Sequence, residues 1–187
     1  MPDLAERHWT AADVRKLPDD GNRYECIDGA LLVTPSPRPP HQLALVELYD
    51  ALSGYIRGNG IGRLMWSPAD IEVVPGTLVQ PDLYVPRHRA GETRIRDWPD
   101  VVGLRLAVEV VSASTARYDR IVKRRFYQRA GVEEYWIVDL DARLVERWRP
   151  GDASPEILTE RLAWSPAGAV EPFELDLTAY FAVVLDG

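Results

Sequence analysis

The sequence predicts an α/β (α+β) fold, with helices flanking a central mixed β-sheet and a β-hairpin near the N-terminus. Three observations predict it. Residues 106–140, LAVEVVSASTARYDRIVKRRFYQRAGVEEYWIVDL, read as strand, loop, helix, turn and strand. Short strands bracket tight turns elsewhere, RYECI-DG-ALLVT being the clearest case. Between these stretches Leu45, Leu48, Leu52 and Tyr55 recur at helical spacing, so a long helix buries one face.

Composition sets the outer bounds. At 187 residues the chain is expected to form one domain, residues 1–187, with a single sizeable core. No run approaches the roughly 18 apolar residues of a membrane span. The first nine residues, MPDLAERHW, lack the basic and apolar blocks of a signal peptide, and the lone Cys26 excludes an intrachain disulfide. The cytoplasm is therefore the expected location, with no membrane partner. Three histidines and one cysteine argue against zinc; a metal would be held by carboxylates, which suits magnesium or manganese. A net charge of −7 argues against broad adhesion to nucleic acid but leaves room for a local basic patch.

In order along the chain, Thr10 caps a short helix that ends near Pro18, with Asp13 reaching back as a capping box. Residues 23–27 and 30–34 form the hairpin, Asp28-Gly29 supplying a positive-φ turn. Period two puts Tyr24, Cys26 and Asp28 on one face and Arg23, Glu25 and Ile27 on the other. Prolines at 35–40 exclude helix interior, so the long helix occupies about 41–58, broken up towards its end by glycines. Strands follow at 63–66 and 71–74, then a Pro75-Gly76 turn and a strand at 78–85 in which Pro81 implies an edge or a bulge. Residues 87–100 are charged and aperiodic and read as an exposed loop. A strand at 106–111, a helix at about 114–130 closed by Gly131 and a strand at 135–138 come next. Asp141-Ala142 turns into a strand at 144–148. Strands near 156–162 and 170–175 precede a last short helix at 177–181, capped by Asp176.

Three residues point to chemistry. Asp82 follows Pro81 in one strand, Glu109 lies centrally in a later apolar strand, and Lys123 lies on the helix after it. A carboxylate in an apolar strand is costly unless paired. Two carboxylates on adjacent strands can share a hard divalent cation, and a lysine beside them can orient or deprotonate water. That combination serves metal-assisted hydrolysis of phosphodiesters. At about 100° per residue Lys123 lies near Arg120, Arg124 and Tyr127, with Asp119 one turn before it and Ile121, Val122 and Phe126 facing the core. Arg117, Arg120 and Arg124, with Arg125 and Arg129, make this the most basic segment of an acidic protein, where a phosphate backbone can dock.

These residues resemble a known pattern. Pro-Asp, a spacer, then Glu-x-Val with a lysine displaced onto the next helix is similar to the PD-(D/E)xK nuclease superfamily, and closer still to the Uma-two family of restriction-endonuclease-like proteins. The matching pieces are RYECIDGALL, PRPPHQLALVEL, VQPDLYV, VEVVSASTARYDRIVKRRFYQRAGVEEYWIVD and the hairpin after it, over roughly residues 10–150. The resemblance implies a restriction-endonuclease-like core with a mixed sheet of about five strands between helices. It implies Asp82 and Glu109 as ligands of Mg2+ or Mn2+, the backbone carbonyl of Val110 as a third ligand, Lys123 as the catalytic lysine and Glu25 as an additional acidic member of the catalytic set. The implied activity is endonucleolytic cleavage of DNA, and such enzymes often act as homodimers to cut two strands. The superfamily lysine normally stands two residues after the glutamate; here that position is Val111, so the site is complete only if Lys123 reaches in from the helix.

Each of these residues also has an ordinary structural reading. Glu109 can pair with Arg105 or Arg125, Asp82 can be a turn residue after proline, and Lys123 can be a solvated helix lysine paired with Asp119. Glu25 can be an exposed hairpin residue, and the arginines a solvated face. His41 reads as a polar residue at a helix N-terminus rather than a ligand, and Tyr135 and Trp136 as core aromatics. Two rival functions follow: a nuclease-like fold used only for binding nucleic acid or another partner, and a hydrolase of small phosphodiesters, which would need a closed pocket.

Overall fold

The computed structural model describes residues 8–88, 95–111 and 115–187. Its first helix, α1 (Ala11–Val14), carries the expected capping box: the Thr10 hydroxyl and backbone meet the Asp13 carboxylate, and the Asp13 amide returns to Thr10. The hairpin β1 (Arg23–Ile27) and β2 (Ala30–Thr34) forms in the expected register, with Asp28 and Gly29 at φ 51° and 80°. Its two faces divide as period two requires. Cys26 packs with α1 and Leu78, whereas Ile27 joins the core beneath the sheet.

Helix α2 (Pro39–Gly58) starts two residues earlier than the proline run suggested. Pro39 and Pro40 occupy its first turn, where amides have no helical partner to lose. Its buried line is Ala44, Leu48, Leu52 and Ile56, and Leu45 and Tyr55 lie only partly buried beside it. Gly54 is accommodated inside the helix rather than breaking it.

The main sheet has six strands in the order β3-β4-β5-β6-β7-β8. These are β3 (Met65–Trp66), β4 (Leu83–His88), β5 (Val101–Val111), β6 (Glu134–Asp139), β7 (Leu144–Trp148) and β8 (Glu156–Leu158). Only β5 and β6 run parallel; the other neighbours are antiparallel. The sheet is thus mixed, with one strand more than the family resemblance implied. Alternation along β5 sends Leu106, Val108 and Val110 towards α2 and α4 (Leu177–Asp186), and Ala107 and Val111 towards the hairpin and α3 (Arg124–Arg129). Both faces are covered, which is why β5 reads as an almost continuous apolar run.

Several sequence boundaries shift. The expected strand at 78–85 divides: Leu78 and Val79 make single bridges to Cys26 and Ile71, while β4 begins only after Asp82. Residues 71–74 form no strand beyond the Ile71 bridge, because their partner there is a single residue. Arg87 and His88 belong to β4, so the expected loop begins later, and a single 3-10 turn, Trp98–Asp100, closes it; residues 89–94 within it lie outside the described set, and β5 begins at Val101 rather than at 106. The expected strand at 156–162 is two strands. One is β8, and the other, β9 (Arg161–Trp164), turns away to pair with β10 (Phe173–Asp176). Asp176 caps α4 as expected, but α4 runs five residues beyond Phe181, because Val184 also packs into the core. Among the described residues no helix is long and apolar enough to cross a membrane.

Candidate active site

Strand alternation aims Glu109 at the hairpin and α3, on the side opposite α2, where a π-helical turn (Tyr118–Lys123) leads into α3. Such turns are rare and frequent at functional sites. The side that faces the sheet carries Asp119 and Lys123 on this turn and Tyr127 on α3, all buried. Ile121, expected in the core, is instead 41% exposed. Charge reverses the apolar pattern here: inward carboxylates make burial of a lysine favourable, and the isoleucine is left outside.

Lys123 Nζ lies 2.8 Å from Glu25 Oε2, 2.9 Å from Glu109 Oε1 and 3.5 Å from Asp119 Oδ1. Its migration onto the helix therefore leaves it within reach of the strand glutamate. Tyr127 donates to the same Glu109 oxygen at 3.3 Å, and the Gln80 amide donates to Glu25 Oε1 at 2.8 Å. Glu25 is wholly buried, not an exposed hairpin residue, because β1 lays its Arg23-Glu25-Ile27 face on the site. Glu109 pairs with neither Arg105 nor Arg125; Arg105 lies beside Glu133.

The β4–β5 register, Leu83 opposite Val108, places Asp82 opposite Glu109 one step further on. Asp82 precedes the paired part of β4, and its side chain takes over the ladder: Oδ2 accepts the Val110 amide at 2.9 Å. The same oxygen lies 3.0 Å from His41 Nε2, and Oδ1 accepts from Arg23 at 2.5 Å. Arg23 and His41 were missed as partners of this site. Arg23 shares the Glu25 face of β1, a signal that was legible; nothing local tied His41 to a residue 41 positions away.

Burial is the largest influence on Asp82, Glu109, Asp119 and Lys123. It would raise the Asp82 carboxyl, but the His41 hydrogen bond and the charges of Arg23 and Lys123 outweigh it and hold Asp82 well below the usual carboxylate range. Glu109 goes the other way: burial, reinforced by Asp82, Asp119 and Glu25, pushes it well above that range despite Lys123. Burial also raises Asp119, against the pull of Lys123. Burial disfavours the charge on Lys123, yet Glu109, Glu25 and Asp119 more than restore it, so the ammonium persists. Four buried carboxylates, Glu25, Asp82, Glu109 and Asp119, thus gather around Arg23, His41 and Lys123.

Arg23, His41, Asp82, Glu109, Asp119 and Lys123 line a cleft of about 470 Å3 whose rim includes exposed Ser36, Pro37 and Arg38. The oxygens of Asp82 and Glu109, with the Val110 carbonyl, are the kind of donor set magnesium or manganese accepts, water completing the shell. Among the described residues no three Asp, Glu, His or Cys side chains are placed to hold a metal ion by themselves. The candidate oxygens are instead held by Arg23, His41 and Lys123, and a cation would have to exchange with those partners.

The three arginines expected at a phosphate backbone differ in their surroundings. Arg120 binds Asp139 and Glu146, each at 2.5 Å, and Arg124 stacks 4.7 Å over the Trp148 ring. Arg117 is exposed. None of the three lines the cleft.

Comparisons with known proteins agree with this architecture. The model of a family described as "Putative restriction endonuclease", Uma2, matches residues 11–178, further towards the C-terminus than the sequence motifs had reached. A crystal structure of "a putative nuclease belonging to DUF820" from Anabaena variabilis superposes with a TM-score of 0.73 at 18% identity, covering 94% of this chain and 99% of that one. No curated protein matches the chain.

Proposed function

This chain belongs to the Uma2 family, and we propose that it is a magnesium- or manganese-dependent endonuclease that hydrolyses phosphodiester bonds in DNA. The observation that carries the reading is Lys123 Nζ at 2.9 Å from Glu109, in the wall of a cleft that also holds Asp82. Asp82, Glu109 and the Val110 carbonyl would hold the cation, which when bound supplies an activated water and offsets charge on the phosphate. Lys123 then steadies the attacking water or a phosphate oxygen, with its ammonium kept protonated and aimed by Glu25 and Asp119. Arg23 and His41 hold the Asp82 carboxylate in place. The rim of exposed residues favours a polymer lying in an open cleft over a small molecule in a closed pocket.

The test is cleavage of supercoiled plasmid with Mg2+ or Mn2+ by wild type, Asp82→Ala and Lys123→Ala purified in parallel, with metal binding followed by calorimetry. Metal-dependent nicking lost in both variants, and metal binding lost in Asp82→Ala and Glu109→Ala, is expected. Divalent binding unchanged in both carboxylate variants sinks the proposal. DNA binding without cleavage would favour a non-catalytic binding module, a reading supported by Val111 at the usual lysine position.

A further inference from the structure

The floor of the cleft carries the carboxylates of Asp82, Glu109 and Asp119, so affinity for a phosphate backbone has to come from elsewhere. Three cationic side chains line the cleft: Arg23, Arg38 and Lys123. Two of them are occupied, Arg23 by Asp82 and Lys123 by Glu25 and Glu109. In the basic helix Arg120 and Arg124 are engaged away from the cleft, and Arg117 and Arg125 are exposed but do not line it. Arg38 differs from all of these. It is exposed on the rim, and among the described residues its guanidinium has no acidic partner and no hydrogen bond.

The backbone fixes where Arg38 stands. It precedes Pro39, which confines it to extended geometry, and its φ and ψ are −80° and 160°. Its carbonyl accepts the Gln42 amide at 3.3 Å, closing the first turn of α2. His41, in that same turn, reaches down to Asp82 at 3.0 Å. One helical turn therefore joins the rim to the floor and holds Arg38 at a set height above the carboxylates.

We infer that Arg38 is the substrate-positioning residue of this cleft, its planar guanidinium docking a backbone phosphate next to the one over Asp82 and Glu109. The inference rests on the nuclease reading. An arginine fork suits a phosphate with two parallel hydrogen bonds, and a free one has no internal ion pair to break first.

The experiment is fluorescence anisotropy of labelled single- and double-stranded oligonucleotides with the full chain in Ca2+, across a salt series. Wild type is compared with Arg38→Ala, Arg38→Lys and Arg63→Ala, the last removing the same charge from an exposed residue that neither lines the cleft nor belongs to the basic helix. Arg38→Ala is expected to weaken binding at every sequence tested and lower the log–log salt slope by about 1, with Arg38→Lys keeping the slope and Arg63→Ala close to wild type. In cleavage assays the Arg38→Ala loss is expected in KM more than in kcat. Wild type that binds DNA, with Arg38→Ala unchanged in affinity and slope, overturns the inference alone. Wild type that binds neither oligonucleotide overturns the nuclease reading and the inference with it.

Discussion

Replacing Lys123 by methionine isolates the energetic centre of the site. Methionine keeps much of the apolar stem but removes an ammonium that is 3% exposed and within 2.9 Å of two carboxylates and 3.5 Å of a third. Removing one partner of a buried ion pair leaves uncompensated charge and costs about 3–5 kcal/mol. Here Glu25, Glu109 and Asp119 all lose their counter-charge together, which places the expected loss in the upper half of that range. Glu109 and Asp119, already raised by burial, limit it by taking up protons. In a chain of this size each kcal/mol moves the melting temperature by roughly 2–4 °C, so a fall of about 8–20 °C is expected. Urea unfolding followed by tryptophan fluorescence should show a lower midpoint with an unchanged m-value. Adding Glu25→Gln to the same protein should recover part of the loss, because it deletes one of the orphaned charges. A Lys123→Met protein within about 1 kcal/mol of wild type would refute the reasoning, since no buried three-carboxylate lysine can be so cheaply removed.

Three further outcomes follow from the same structure. Leu52→Ala, wholly buried between α2 and the sheet, should cost about 2–5 kcal/mol in urea unfolding, the transfer loss plus an unfilled cavity. Arg120→Ala should lower stability by about 1–3 kcal/mol by orphaning Asp139 and Glu146, while leaving the salt slope of DNA binding unchanged. Arg129→Ala breaks an ion pair with Asp28 whose side chains are 57% and 61% exposed, and should change stability by less than about 1 kcal/mol in the same assay.

The sequence by itself determined the elements whose causes are local. The capping box at Thr10, the Asp28-Gly29 turn, the end of α2 and the Asp176 cap each depend on residues within a few positions of one another, and each stands where short-range chemistry put it. The motif residues Asp82, Glu109 and Lys123 were legible as well, because a proline–aspartate pair and a lone glutamate in an apolar strand are conspicuous in a line of text. Other features were decided only by packing. The division of the expected 156–162 strand between two sheets depends on which neighbour each half meets, as does the early start of β5. Glu25, Glu109 and Lys123 meet only because the hairpin lies over β5 and the π-helical turn faces it. Asp82 finds Arg23 and His41 across 59 and 41 positions. Local periodicity records which side of an element is apolar, and this site inverts that rule. Its charged residues face inwards because they neutralise one another, and mutual neutralisation exists only once the chain has brought them together.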